Sequence, residues 1–239
     1  MPEEFTLARA GLHFWEEPPI SGKNGSGTVF FSGCNLGCVY CQNYEISHGQ
    51  VGKIISDERL KEIFDELISE GAHNINLVNP THYAARLKAT LSEYKSKVPV
   101  VYNSSGYEKV ETLASLDGLI DIYLPDLKYI NSDKSFGYSA AKDYFDFASK
   151  ALAEMKRQCP ENIYDGNGVM QKGMIVRHLI LPKNTNQSID ILSWIKNNLG
   201  EDTTVSLMSQ YTPPESMPKP LNRKVTVAEY GELVSYAER

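Results

Sequence analysis

Six short apolar runs of β character, each followed by a stretch of helical character, constrain this chain more than any other feature. The runs fall at residues 28–31, 74–78, 98–102, 119–124, 174–181 and 204–208. Between them, Leu60, Ile63, Phe64, Leu67 and Ile68 recur at i, i+3, i+4, i+7 and i+8 behind Ser56, which predicts a capped helix ending at Gly71. Further helices are expected at 81–94, 108–116, 139–158 and 189–199, with a closing helix that opens at Thr226 and carries Glu229 three residues on. Strands alternating with helices build parallel βα units. A complete eight-unit barrel takes ~250 residues, or about 30 per unit. Six units in 239 residues therefore predict an α/β fold: an incomplete, TIM-like (β/α)6 barrel of parallel strands in one domain.

The expected division is a lead-in and cover at 1–27, a core at 28–211, and a proline-rich loop with the closing helix at 212–239. The lead-in shows no clear periodicity and ends in a Gly- and Ser-rich run at 21–27. Its Phe14 and Trp15, set among Glu16, Glu17, Pro18 and Pro19, are read as covering one end of the barrel.

In parallel βα folds the chemistry sits at the C-terminal ends of the strands. The first strand delivers the chain into Cys34-Asn35-Leu36-Gly37-Cys38-Val39-Tyr40-Cys41, a C-x3-C-x2-C arrangement. Three thiolates at this spacing can surround one inorganic centre, and such soft ligands select zinc or iron–sulfur clusters. A [4Fe–4S] cluster held by three cysteines keeps one iron free of protein ligands, open to a substrate or cofactor. Two other readings of the cysteines are a Cys3His zinc site completed by His48 or His13, and an electron-transfer cluster with Cys159 as fourth ligand.

The chain holds four cysteines, three of them in this loop, which suits reduced thiols better than a disulfide framework and points to the cytoplasm. The start of the chain lacks a charged-then-apolar signal pattern, and no apolar run approaches the roughly 18 residues of a membrane helix. A net charge of −6 with scattered Lys and Arg disfavours nucleic acid as a partner.

The cysteine loop, with aromatic Tyr40 just before its last cysteine, resembles that of the radical S-adenosylmethionine (radical SAM) superfamily. Within it the chain is most similar to the glycyl-radical-enzyme activases, and to a pyruvate formate-lyase-activating-like branch through Leu12–Pro18, Gly25–Thr28, Cys41–Tyr44 and Asn79–Tyr83. The resemblance implies a [4Fe–4S] cluster on Cys34, Cys38 and Cys41, and S-adenosylmethionine (SAM) on the open iron. It also implies reductive cleavage of SAM to a 5′-deoxyadenosyl radical that abstracts hydrogen from a substrate. Tyr40 is among the expected SAM contacts. Asn79 and Thr81 stand where the activases carry a Gly-Gly-Glu segment, and Asn103-Ser104-Ser105-Gly106 is similar to their Asp-Thr-Asn-Gly, with Asn in place of the carboxylate. Asp126-Leu127-Lys128 matches their Asp-Leu-Lys, in which Asp and Lys contact SAM. Arg177 fits an Ile-Arg-x-x-x-x-Pro pattern ending here at Pro182, and Gln210 closes the expected set. Strand alternation sends Arg177 and His178 to opposite faces, and Arg177 is assigned to the interior.

The implied enzyme is an oxidoreductase that activates a glycyl radical protein such as pyruvate formate-lyase, served by a low-potential electron donor. The alternatives are a radical SAM enzyme on a small molecule or peptide, and a non-catalytic iron–sulfur or zinc module. The lead-in departs from the activases' Asp-Gly-Pro-Gly-x-Arg type: this chain has Lys23-Asn24-Gly25-Ser26-Gly27-Thr28.

Overall fold

The structure, a computed structural model, describes residues 4–49 and 51–239. Nine strands are present among them: β1 Phe5–His13, β2 Ser26–Phe31, β3 Lys53–Ile55, β4 Ile75–Val78, β5 Val100–Ser104, β6 Ile122–Pro125, β7 Ile163–Tyr164, β8 Met170–Leu179 and β9 Thr204–Met208. The helices are α1 Pro18–Ser21, α2 Tyr44–His48, α3 Asp57–Ser69, α4 Ala84–Glu93, α5 Val110–Ala114, α6 Ser132–Ser139, α7 Tyr144–Gln158, α8 Thr185–Leu199 and α9 Val227–Ala237. None is long and apolar enough to cross a membrane.

Six strands run parallel in the order β2-β4-β5-β6-β8-β9, which is the expected set of units. No pairing joins β9 to β2 among the described residues, and the far edge beyond β2 is extended by antiparallel β1 and β3. The long β8 pairs with β7 through Met170–Lys172 and with β9 through Ile175–Leu179.

The lead-in is thus not wholly irregular. Phe5 and Leu7 alternate inward, but a register shift between Leu7 and Arg9 and the edge position of the following residues hide the period. The expected helix over 139–158 begins only at Tyr144, as α7, and a separate helix α6 precedes it and ends where Ala140 adopts φ 57°. The expected strand at 98–102 starts after Pro99, where the missing N–H no longer interrupts pairing, and runs on to Ser104. At both ends of the helical series the capping is as read: Ser56 accepts from the Arg59 amide, and Thr226 and Glu229 form a reciprocal capping box.

Two layers of packing position the site. Helices and the outer face of the sheet share the main core, where Leu60, Phe64, Leu87, Tyr102, Leu152 and Ile191 are fully buried. Inside the curve of the sheet, Ile20 of α1 packs with Val101, Ile122, Leu124, Met170 and Ile175. The Asn74 side chain donates to the Ile20 carbonyl at 2.7 Å and accepts from Ser26 at 2.6 Å, tying α1 to the N-terminal ends of β2 and β4. Of the lead-in it is thus Ile20 that packs at this end, while Trp15 stays 87% exposed.

Candidate active site

The opposite, C-terminal end of the strands opens into a cavity lined by all three cysteines of the loop. Alternation on β5 points Val101 and Asn103 inward and Tyr102 outward, and the same period on β6 and β8 brings Asp126 and Arg177 to the interior. Asn79, Asn103, Ser104, Asp126, Lys128 and Arg177 all line the cavity with Cys34, Cys38 and Cys41.

Its floor is an ion network. Arg177 Nε donates to Asp126 Oδ1 at 2.9 Å and Nη2 to Asn103 Oδ1 at 2.6 Å, while Nη1 stands 3.3 Å from Glu16 Oε2. Lys128 Nζ pairs with Asp126 Oδ2. Burial works to raise the Asp126 carboxyl, but the Arg177 and Lys128 cations outweigh it and hold the pKa below the ordinary carboxylate value. Burial also works against the Lys128 ammonium, and Asp126 overcomes it, leaving the pKa raised. At neutral pH the floor thus offers fixed cations held in place by carboxylates. His178, on the other face of β8, is buried between the Leu127 carbonyl at 2.7 Å and Ser188 Oγ at 2.8 Å. Burial lowers it to about 4, so it is neutral packing.

The cysteine loop is held from three sides. Asn79, at φ 56°, donates its side-chain amide to the Gly33 carbonyl, and its Oδ1 is 3.6 Å from Cys34 Sγ. Gly33 sits at φ 91°, where an added Cβ would lie 3.2 Å from His82 Nε2, so the loop can turn beside His82 only as glycine. The Gly37 and Val39 amides donate to the Ser139 and Tyr138 carbonyls at the end of α6. Each thiol has a polar neighbour: the Leu36 amide for Cys34 at 3.4 Å, Ser139 Oγ for Cys38 at 2.9 Å and Ser47 Oγ for Cys41 at 3.3 Å. Burial raises the Cys34 and Cys38 thiol pKa values, with Lys128 pulling the other way. Their deprotonation therefore accompanies metal binding.

Three thiols lining one cavity are the donor set that a [4Fe–4S] cluster takes. Among the described residues no three His, Cys, Asp or Glu side chains converge on one metal ion. A cube spreads three thiolates over three separate iron corners. Cys159 is buried against the Asp121 carbonyl below β6, and His13 pairs with Ser26 at the covered end, so neither joins the loop. His48 is stacked on Tyr44 and bonded to Ser47 Oγ.

Three expected SAM contacts lie outside the cavity lining. Tyr40 is buried beneath it with its hydroxyl on Tyr129. Thr81 donates to Glu108 Oε1 at 2.5 Å and lines a neighbouring cavity with Asn35 and Tyr107. Gln210 is exposed beyond β9 and donates to Met208 Sδ at 3.4 Å. Sequence reasoning did not foresee Ser139, Tyr129, Glu16 or Tyr144. Tyr144 Oη shares its one proton between the Ser105 and Asp126 carbonyls at 2.8 and 2.9 Å and accepts from the Lys128 amide, joining the ends of β5 and β6.

Residues 28–195 match the family model described as the radical SAM superfamily, and the chain belongs to that superfamily. Its members use a [4Fe–4S] cluster and SAM. An uncharacterized protein of Methanocaldococcus jannaschii is 30% identical over 95% of this chain and 65% of its own length. A putative glycyl-radical enzyme activating enzyme of Haemophilus influenzae is 23% identical over 72% of this chain and 65% of its own. The chain thus spans just under two thirds of these curated relatives. The crystal structure of Streptococcus suis SuiB superposes with a TM-score of 0.59 at 16% identity, over 87% of this chain and 44% of SuiB, a likeness of fold.

Proposed function

We propose that this protein is a radical SAM enzyme that makes a radical on a protein, as a glycyl-radical-enzyme activase or a close relative. The observation that carries the reading is the meeting, in one cavity, of three cysteine thiols with the charged set Asp126, Lys128 and Arg177. The similarity to the Haemophilus influenzae protein supports the protein substrate.

In this reading Cys34, Cys38 and Cys41 hold the cluster, and the bound pair of cofactors supplies one-electron cleavage of SAM to a 5′-deoxyadenosyl radical that takes hydrogen from substrate. The chain's own residues bind and orient. Lys128 and Arg177 present cations to the carboxylate of SAM, and Asp126 fixes both side chains so that little freedom is lost on binding. Asn103 and Ser104, both buried, add polar groups at the end of β5. Asn79 braces the loop that carries Cys34. Phe30 and Leu36 give the cavity apolar walls beside the cysteines.

The test is spectroscopic. Anaerobically reconstituted protein, reduced and mixed with SAM and a candidate glycyl radical protein, should give a glycyl radical EPR signal that depends on Lys128. If SAM is cleaved but no protein radical forms with any such candidate, a small-molecule or peptide substrate takes its place.

A further inference from the structure

Beneath the cysteine loop, three buried hydroxyls form a line that ends on a cluster cysteine. Tyr40 Oη contacts Tyr129 Oη, Tyr129 Oη lies 2.7 Å from Ser139 Oγ, and Ser139 Oγ lies 2.9 Å from Cys38 Sγ. All are shut away from solvent: Tyr40 is 6% exposed, Tyr129 0% and Ser139 1%. The line joins the cysteine loop, the segment after β6 and the end of α6. Its ends lie only two residues apart in the chain, so the loop closes on itself through two outside side chains.

From this geometry we infer that Tyr40, Tyr129 and Ser139 are positioning residues that tune the electron affinity of the centre held by Cys38. The inference rests on the proposed cluster. A metal-bound cysteine sulfur carries no proton and can only accept, so Ser139 must donate to it. Ser139 has one proton, so it accepts that of Tyr129, and Tyr129 in turn accepts that of Tyr40. Every O–H then points toward the sulfur. Aligned hydroxyls polarise one another, so the last donor is stronger than an isolated serine. Hydrogen bonds to cluster sulfurs help set reduction potential, because a donor favours the more negative, reduced state. Tyr40 is thereby given a part below the cavity, distinct from a contact with SAM inside it.

The experiment is a redox titration of the reconstituted cluster, followed by EPR without SAM, in wild type and in Ser139→Ala, Tyr129→Phe, Tyr40→Phe and Ser139→Thr. The midpoint should move to more negative potential in the order Ser139→Ala, Tyr129→Phe, Tyr40→Phe, and return toward wild type in Ser139→Thr, at equal iron content. Equal midpoints in all variants would overturn the inference, as would an unchanged Tyr129→Phe beside a shifted Ser139→Ala, which leaves one hydrogen bond and no relay. If Ser139→Ala takes up no iron, the two tyrosine variants decide. Wild type that takes up no cluster at all refutes the proposed function instead.

Discussion

Arg177 and Asp126 sit side by side on neighbouring parallel strands, with Arg177 Nε 2.9 Å from Asp126 Oδ1 and both side chains about 15% exposed or less. This pair is the joint of the site: it ties β8 to β6 and, through Lys128, Asn103 and Glu16, links the strand ends to the lead-in. Removing one member leaves the other's charge buried with poorer compensation. Such losses run to about 3–5 kcal/mol. Arg177→Met should therefore destabilise the fold by about 3 kcal/mol, the lower end because Lys128 remains on Asp126. The double variant Arg177→Met/Asp126→Asn should cost less than the sum of the singles in urea unfolding. Additive losses would show that the pair is not coupled.

Cysteine identity separates the readings of the loop. Cys34→Ala, Cys38→Ala and Cys41→Ala should each lose most bound iron after anaerobic reconstitution, whereas Cys159→Ala should keep it, since Cys159 faces the Asp121 carbonyl. Iron lost on changing Cys159 would restore it as a fourth ligand.

Asn79 has two separable properties, a left-handed backbone at φ 56° and a side-chain amide on the Gly33 carbonyl. Asn79→Gly relieves the first and removes the second. It should fold at least as stably as Asn79→Ala, yet release iron to a chelator faster than wild type. Equal chelator kinetics in Asn79→Gly and wild type would show that the amide does not brace the loop.

Glu108 is 2% exposed, and burial lifts its carboxyl to about 7 despite hydrogen bonds from Thr81 and others. Its pKa is higher folded than unfolded. Its favourable contribution is therefore complete below about pH 4.5 and lost as pH rises toward 7. Glu108→Gln should flatten the fall in stability over that window, read by urea unfolding at several pH values. An unchanged slope would place the titrating group elsewhere. His178 acts in the opposite sense, its stabilisation present above about 6.5 and lost as pH falls toward 4.

Much of this molecule could be read from its residues, and what escaped has physical causes. The central parallel strands β2, β4, β5 and β6 show as apolar runs because both their faces are buried, while β9, at the edge, is half-buried throughout. β1 did not, because a register shift after Leu7 and the unpaired edge of the residues that follow leave no clean period. The break between α6 and α7 rests on Ala140 in a conformation that alanine rarely adopts, which no local signal marks. At the site, Asp126, Lys128 and Arg177 are expected from the resemblance to the activases, with their places at strand ends in support, and they meet the cysteines in one cavity. Ser139 lies 101 residues from the Cys38 that it touches, and Glu16 lies 161 from Arg177. Such contacts exist only once the sheet curls. Thr81 stands beside the site in sequence, but the turn after β4 aims it at Glu108.

The most direct measurement is anaerobic reconstitution with iron and sulfide, then reduction with dithionite in the presence of SAM, with chromatography for 5′-deoxyadenosine. The account predicts a [4Fe–4S] cluster whose EPR spectrum changes on adding SAM, and 5′-deoxyadenosine that disappears in Cys38→Ala. A cluster indifferent to SAM, with no 5′-deoxyadenosine formed, would contradict it.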